Sequence, residues 1–349
     1  MLDINSSTAN RIKNIGGLVE NYSVILPSSS KDIVRLAENI IVYGSGGNNK
    51  VFNFFLIFFL AKRLLSTGQY DILSIQDQYF LGFLGLFLSK LYKVPLEIQV
   101  HGFEKFRGFR AIFARFVIKR ANVVRAVSLR LKNSLIKEFG IKESKVYVLP
   151  LFVLIGKHTR NLEVKNTFNF LTVARLVPVK NIDLQIKAMV SLSNKYPEVR
   201  LKIVGDGPEK GRLIRLVLKL KLGDIVEFVG YQKEVDSWYE NADVFVLSSD
   251  SEGWGVVVIE AASYGLPIIM TDVGCAGEFI HNKENGIIIP VKDVTALNEA
   301  MIDLVEKPEL RMTLGKKAKE SSESIMNLEF YLKKQIDGWC LGVENFLNK

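Results

Sequence analysis

Short β-rich runs alternate with helical stretches along almost the whole chain, and this pattern restricts it to α/β architecture with mostly parallel sheets. In the first half the expected strands are 22–27, 39–43, 71–75, 96–100, 122–127 and 145–149, with helices at 51–65, 79–91, 109–120 and 129–139. The scheme then restarts with strands at 170–174, 200–204, 226–229, 244–247 and 268–271. Its helices are expected at 182–195, 209–219, 235–240, 256–264 and 294–305. At 349 residues there is room for two doubly wound Rossmann-like domains, each with its own core. The boundaries read as 1–150 for the first domain and 151–323 for the second. Residues 324–349 read as a C-terminal helix expected to pack back on the first domain. Doubly wound sheets bind ligands beyond the carboxyl ends of their strands, so the chemistry is expected to face a central cleft between the two domains.

Other classes drop out quickly. The two cysteines, Cys275 and Cys340, make no disulfide framework, and with three scattered histidines they show no metal-ligand spacing. No basic segment precedes an apolar run at the start, so no signal peptide is expected. The most apolar run, 51–61, is shorter than the roughly 20 residues that a spanning helix needs. These features point to a cytoplasmic protein. Met1-Leu2-Asp3-Ile4 reads as the stub of a first strand, which a missing N-terminal segment would explain. Gly16-Gly17 sits among apolar residues at helical spacing and reads as lying within a helix.

The net charge of +9 is local. Between Glu104 and Lys137 ten basic residues face one acid, and the rest of the chain is balanced. Phe106, Phe109, Phe113 and Phe116 fall on one helical arc in this segment, with Lys105, Arg107, Arg110, Arg115 and Lys119 outside it. Two readings stand: a helix packing its Phe stripe on the sheet with cations facing water, or an interfacial helix docking on anionic lipid. No nucleic-acid recognition module is present.

Three strand–loop–helix junctions in the second half carry chemistry. In Ser248-Ser-Asp-Ser-Glu252-Gly-Trp-Gly255-Val256, glycines at 253 and 255 let a ligand approach the backbone, and the free amides of the following helix favour an anion. Glu252 falls in the loop and Glu260 more than a turn into the helix, so they are not a general acid/base pair on one face. In Ala174-Arg175-Leu-Val-Pro-Val-Lys180, two cations sit at a strand's mouth, as a diphosphate leaving group requires. Val204-Gly-Asp-Gly207-Pro208 is the third junction, with Pro208 at a plausible first helical position.

The order of Ala174-Arg-Leu-x3-Lys180, Gly205-Asp-Gly-Pro208, Val226-x-Phe-x-Gly230, Ala242-Asp-Val-Phe-Val-x-Ser-Ser249, Glu252-Gly-x-Gly-x4-Glu260-Ala and Ala262-x2-Gly-x-Pro267 resembles the retaining glycosyltransferases of family 4, which have the GT-B fold. The likeness is dense over 168–290 and loose before it, carried there by Val100-His101-Gly102 and Ala126-Val127-Ser128. It implies a retaining, metal-independent enzyme that takes a nucleotide-sugar donor as substrate, with no separate cofactor. The acceptor implied is a glycan or lipid-linked sugar, in bacterial surface polysaccharide or lipopolysaccharide assembly, on the cytoplasmic side of the membrane. Arg175 and Lys180 correspond to the cations on the donor diphosphate. Glu252 corresponds to the acid on the donor sugar and Glu260 to the one on the ribose. Gly207, Gly253, Trp254, Gly255 and Val256 line the donor, and His101 lies beside the transferred sugar. With Glu252, Arg175 and Lys180, His101 makes up the expected catalytic set. The 104–137 segment suggests an anionic membrane surface as a further partner.

The chain also departs from that pattern. The first strand and its glycine-rich loop are cut short, Pro150-Leu-Phe152 replaces Pro-Asn-Gly, Asn181 follows Lys180, and Cys275 follows Gly274. The alternatives are a nucleotide-sugar-binding partner subunit with little activity, which the short first strand favours, or an epimerase or phosphorylase on the same fold. An oxidoreductase is disfavoured, because no G-x-G-x-x-G follows a strand.

Overall fold

The computed structural model describes residues 3–4, 6–102, 109–153, 167–325 and 327–348. Lys105, Phe106 and Arg107 lie outside the described residues, as do residues 154–166 just beyond the expected domain boundary. The chain forms two compact units, Met1–Phe152 with Leu328–Lys349, and Val153–Asn327.

In the first unit the elements are α1 (Ser7–Gly16), β1 (Tyr22–Leu26), β2 (Ile33–Ala37), β3 (Ile40–Gly44), α2 (Lys50–Leu65), β4 (Leu73–Ile75), α3 (Phe80–Tyr92), β5 (Leu96–Val100), α4 (Phe109–Arg120), β6 (Val123–Ala126), α5 (Leu129–Phe139) and β7 (Val146–Val148). Side chains before the helices fix their starts: Asn49 accepts from the Phe52 amide at 2.8 Å and Ser128 from the Leu131 amide at 3.1 Å. β4-β5-β6-β7 form a parallel sheet, while β1-β3-β2 form a separate one in which β2 runs antiparallel. Asp3 and Ile4 are not in a strand, and the first regular element is α1. That helix ends on Gly16 with Gly17 as its cap, so the glycine pair closes the helix rather than lying inside it.

The second unit holds β8 (Phe168–Val173), α6 (Ile182–Lys195), β9 (Val199–Val204), α7 (Lys210–Lys219), β10 (Val226–Gly230), α8 (Asp236–Glu240), β11 (Val244–Leu247), α9 (Val256–Ser263), β12 (Ile268–Thr271), β13 (Ile287–Ile289), α10 (Val294–Glu306) and α11 (Pro308–Ile325). Its six strands are all parallel, in the order β10-β9-β8-β11-β12-β13. Phe170, Leu201, Ile203, Val244 and Ile269 are fully buried between this sheet and its helices. Strands β2 and β13 and helix α11 have no counterpart among the expected elements.

Helix α12 (Leu328–Leu347) returns the chain to the first unit. Its Trp339 indole donates to buried Glu97 at 3.2 Å, and Glu97 also accepts from Tyr147 and Ser74. Arg125 is 3% exposed and donates to Tyr331 at 2.9 Å, Gln335 at 3.0 Å and the Leu149 and Pro150 carbonyls. One of the ten cations of the basic segment is therefore internal. The Phe stripe of that segment also packs differently from the helix-on-sheet reading. The fully buried residues of α4 are Ala114, Val117 and Ile118, while Phe113 and Phe116 lie against the aromatic rings of α3. Among the described residues no helix is long and apolar enough to cross a membrane.

Candidate active site

In the second unit the chain moves outward from β8 to β9 and β10, then returns to the other side of β8 with β11. The carboxyl ends of β8 and β11 therefore flank the switch point where doubly wound sheets hold ligands. Lys180 follows one of these strands and Glu252 the other, and the two side chains form an ion pair that is mostly withdrawn from solvent. Ser249 donates to the same Glu252 oxygen at 2.6 Å. The second carboxylate oxygen accepts no hydrogen bond among the described residues, so Glu252 is held from one side and can still accept from another donor.

The two loops are stitched together by side chains. Ser248 Oγ accepts from buried Gln185 at 2.9 Å and donates to the Lys180 or Asn181 carbonyl, each 3.0 Å away. Asn181 donates to Asp250 at 3.0 Å, and the Asp250 amide donates to the Val179 carbonyl at 2.8 Å. Lys180 lies just before α6 rather than in it. It ends a 3₁₀ turn, Pro178–Lys180, and Asn181 has φ 48°, a left-handed conformation that Asn adopts at modest cost.

Arg175 lies two residues beyond β8 and is exposed, with no ion pair among the described residues. Its loop is braced by the next one: the Leu176 amide donates to the Asp206 carbonyl at 2.9 Å and the Glu209 amide to the Leu176 carbonyl at 3.0 Å. A Cβ at Gly205 would sit 1.9 Å from the Ala174 carbonyl oxygen, and one at Gly207 would sit 2.3 Å from that of Leu176. Gly207 thus has a packing reason in addition to the donor contact expected of it. Pro208 precedes the α7 cap, Glu209, rather than occupying the first helical position.

Gly255 caps α9 with φ 96° and its carbonyl accepts from the Val258 amide at 2.9 Å, which leaves the Val256 and Val257 amides at the mouth of the helix without an intrahelical acceptor. Gly253 and Trp254 are buried just before it, and the Trp254 carbonyl accepts from the Cys275 amide at 2.8 Å. Glu260 lies in the second turn of α9, apart from Glu252, and accepts from Tyr239 at 2.8 Å. Burial raises its pKa above the ordinary carboxylate range, the Tyr239 hydrogen bond opposes the shift, and nearby Asp236 adds to it.

His101 follows β5 in the first unit. Its buried Nε2 has no hydrogen-bond partner among the described residues. Burial pulls its pKa down to about 4, and the charges of Arg125 and Arg11 push the same way, so the imidazole is neutral near pH 7. Ser248, Ser249, Asp250 and Tyr239 were not singled out for these roles from the sequence. Only the Ser248-Ser249 pair of the motif offered a signal, whereas nothing in the sequence around Tyr239 points to Glu260. Among the described residues no group of three or more His, Cys, Asp or Glu side chains gathers as a metal site.

Two family models describe the chain in succession: Glycosyltransferase Family 4 over residues 22–154, and Glycosyl transferases group 1 over residues 157–321. An uncharacterized glycosyltransferase of Haemophilus influenzae is 31% identical over 170 residues, which is 48% of this chain and 47% of that protein. The chain thus matches about half the length of that relative. The alpha-monoglucosyldiacylglycerol synthase of Acholeplasma laidlawii is 24% identical over 360 residues, covering 91% of this chain and 88% of that one. Among solved structures, Anabaena Alr3699/HepE in complex with UDP-glucose superposes with a TM-score of 0.76 at 18% identity, over 91% of this chain and 98% of that one. With the two models meeting end to end across both units, the chain belongs to glycosyltransferase family 4 and carries its GT-B fold.

Proposed function

We propose that the chain transfers a sugar from a nucleotide-sugar donor to a glycan or lipid-linked acceptor, with retention at the anomeric carbon and without a metal. We place it in bacterial surface polysaccharide assembly of the lipopolysaccharide kind, at the cytoplasmic face of the membrane. The observation that carries the reading is the Lys180–Glu252 pair at the switch point between β8 and β11. A donor diphosphate offers Lys180 a second anion, and Glu252, released from the ammonium, can accept from hydroxyls of the donor sugar. Exposed Arg175 supplies forked donors to the same diphosphate. The α9 amides at Gly255 and Val256 meet its phosphate oxygens. Glu260 takes the ribose, and neutral His101 lies beside the transferred sugar. The bond from the anomeric carbon to the phosphate oxygen breaks and the diphosphate leaves with the electron pair. The acceptor oxygen bonds that carbon from the same face, and its proton passes to the leaving phosphate.

The UDP-glucose in the HepE structure supports a nucleotide-sugar donor. The relative with a diacylglycerol product in its name supports a lipid-linked acceptor. A panel of nucleotide sugars screened by thermal shift identifies the donor, because a bound ligand raises the melting temperature. Transfer from that donor is then followed for wild type and Lys180→Ala. Loss of leaving-group stabilisation should lower kcat roughly 10²–10³-fold. Wild-type turnover in the variant would sink the assignment, and donor binding without transfer to any acceptor would favour the partner-subunit reading.

A further inference from the structure

Helices α2, α3 and α4 pack side by side in the first unit. The inner residues of α3 (Leu84, Leu86 and Leu88) are buried, as expected of a crossover helix. The outward side of such a helix is normally polar, yet here it shows Phe80 (54% exposed), Phe83 (45%), Phe87 (53%) and Leu91 (53%). The rings continue onto both neighbours. Phe87 packs on Phe58 of α2 with centroids 6.1 Å apart, and Phe59 beside it is 61% exposed. Phe83 packs on Phe113 and Phe116 of α4 at 5.8 and 6.0 Å, and Ile112 of α4 is 65% exposed. A continuous apolar surface across three helices marks an interaction site.

Charge says what that site meets. The three helices together contain eight Lys or Arg residues and not one Asp or Glu. Each carries cations in its last turn: Lys62 and Arg63, Lys90, and Lys119 and Arg120. The Arg120 guanidinium lies 3.7 Å from the ring centroid of part-exposed Phe116, so a cation and an apolar ring share one surface. Rings that enter an acyl layer and cations that reach phosphate oxygens are the two halves of an anionic bilayer surface.

We infer that the composite aromatic face of α2, α3 and α4, and not the α4 segment alone, docks the protein on an anionic lipid bilayer. The inference rests on the membrane-side placement proposed above, but not on the donor chemistry.

The test uses the full chain and vesicles of phosphatidylcholine with and without phosphatidylglycerol. Wild type should co-sediment with the phosphatidylglycerol vesicles and release as salt rises. The double variant Phe59→Ser/Phe87→Ser should lose roughly tenfold or more in vesicle affinity at unchanged charge. Arg115→Glu/Lys119→Glu should lose its preference for phosphatidylglycerol. As a second measurement, Phe87→Trp should gain indole emission that brominated lipid quenches, beyond the wild-type background. Donor-induced thermal shift, measured on the same samples, should persist in every variant, and its loss would speak against the donor reading alone. Absence of vesicle binding overturns the inference. So does binding that survives the loss of both Phe rings, or a self-association that those substitutions abolish while no vesicle binding is seen.

Discussion

Lys180 and Glu252 are counterions to each other before any ligand arrives, so neither acts independently. Removing one strands the other in a place with little solvent, whereas removing both leaves no unpaired charge. Lys180→Ala and Glu252→Ala should therefore be non-additive, with a coupling of roughly 0.5–3 kcal/mol in a denaturant double-mutant cycle. Additive losses would mean that the pair is not formed in solution. Glu260 makes the opposite kind of demand. Its pKa is raised in the folded state, so the fold is favoured below the unfolded carboxylate range and loses stability as pH climbs towards the folded value. Glu260→Gln keeps an acceptor for Tyr239 and removes that loss. Its melting temperature should exceed wild type at neutral pH, with the gap closing as the pH is taken below the carboxylate range. The loop cations and Glu252 were legible in the sequence because they follow strand ends, Glu252 with a glycine beside it. Tyr239 was not, since a tyrosine on a five-residue helix has no pattern that points to a carboxylate on another element. Arg125 misled for a related reason: composition reports a charge but not the side of the sheet on which it lies.

Most of the elements could be read from the sequence, because buried parallel strands are apolar runs and crossover helices show a wide apolar stripe. The three that escaped lack such signals. Strand β2 is exposed on alternate residues, and β13 has three residues at the edge of its sheet. Helix α11 buries only Leu314, Gly315, Ala318 and Ser322, a stripe too narrow and polar to stand out among its lysines and serines. The basic helix was half legible: the spacing of its phenylalanines was visible, but their packing on α3 depends on an aromatic face that lies more than twenty residues earlier in the chain. At this scale the loops after β8 and β9 act as one support for Arg175, and Gly205 is where they touch. It combines φ 133° with a contact that admits no Cβ. Gly205→Ala should cost roughly 1–3 kcal/mol or more by urea denaturation, with activity falling because Arg175 is displaced. An unaltered midpoint would mean that the two loops are not held together.

The first unit is assembled from two stretches of chain separated by the whole of the second. Its buried polar groups are divided between them: Glu97 takes a hydrogen bond from Trp339, and Arg125 gives hydrogen bonds to Tyr331 and Gln335. A chain ending after Asn327 should leave these groups short of partners, each costing about 1–3 kcal/mol, and the Leu149, Tyr331 and Trp339 cluster without its centre. Hydrogen exchange on that truncated chain should show protected strands in the second unit and an unprotected first unit. Protection of β5 and β6 equal to that of the intact protein would rule this out. The same discontinuity has a consequence during synthesis. About 175 residues separate Phe152 from Leu328, and at about 5–20 residues per second the ribosome takes roughly 10–35 s to add them. Through that interval the earlier unit waits with Arg125 and Glu97 lacking the partners that α12 supplies, and with its aromatic helices already outside the tunnel. The half of the protein that is translated first is therefore the half that closes last, and chaperones would meet it there.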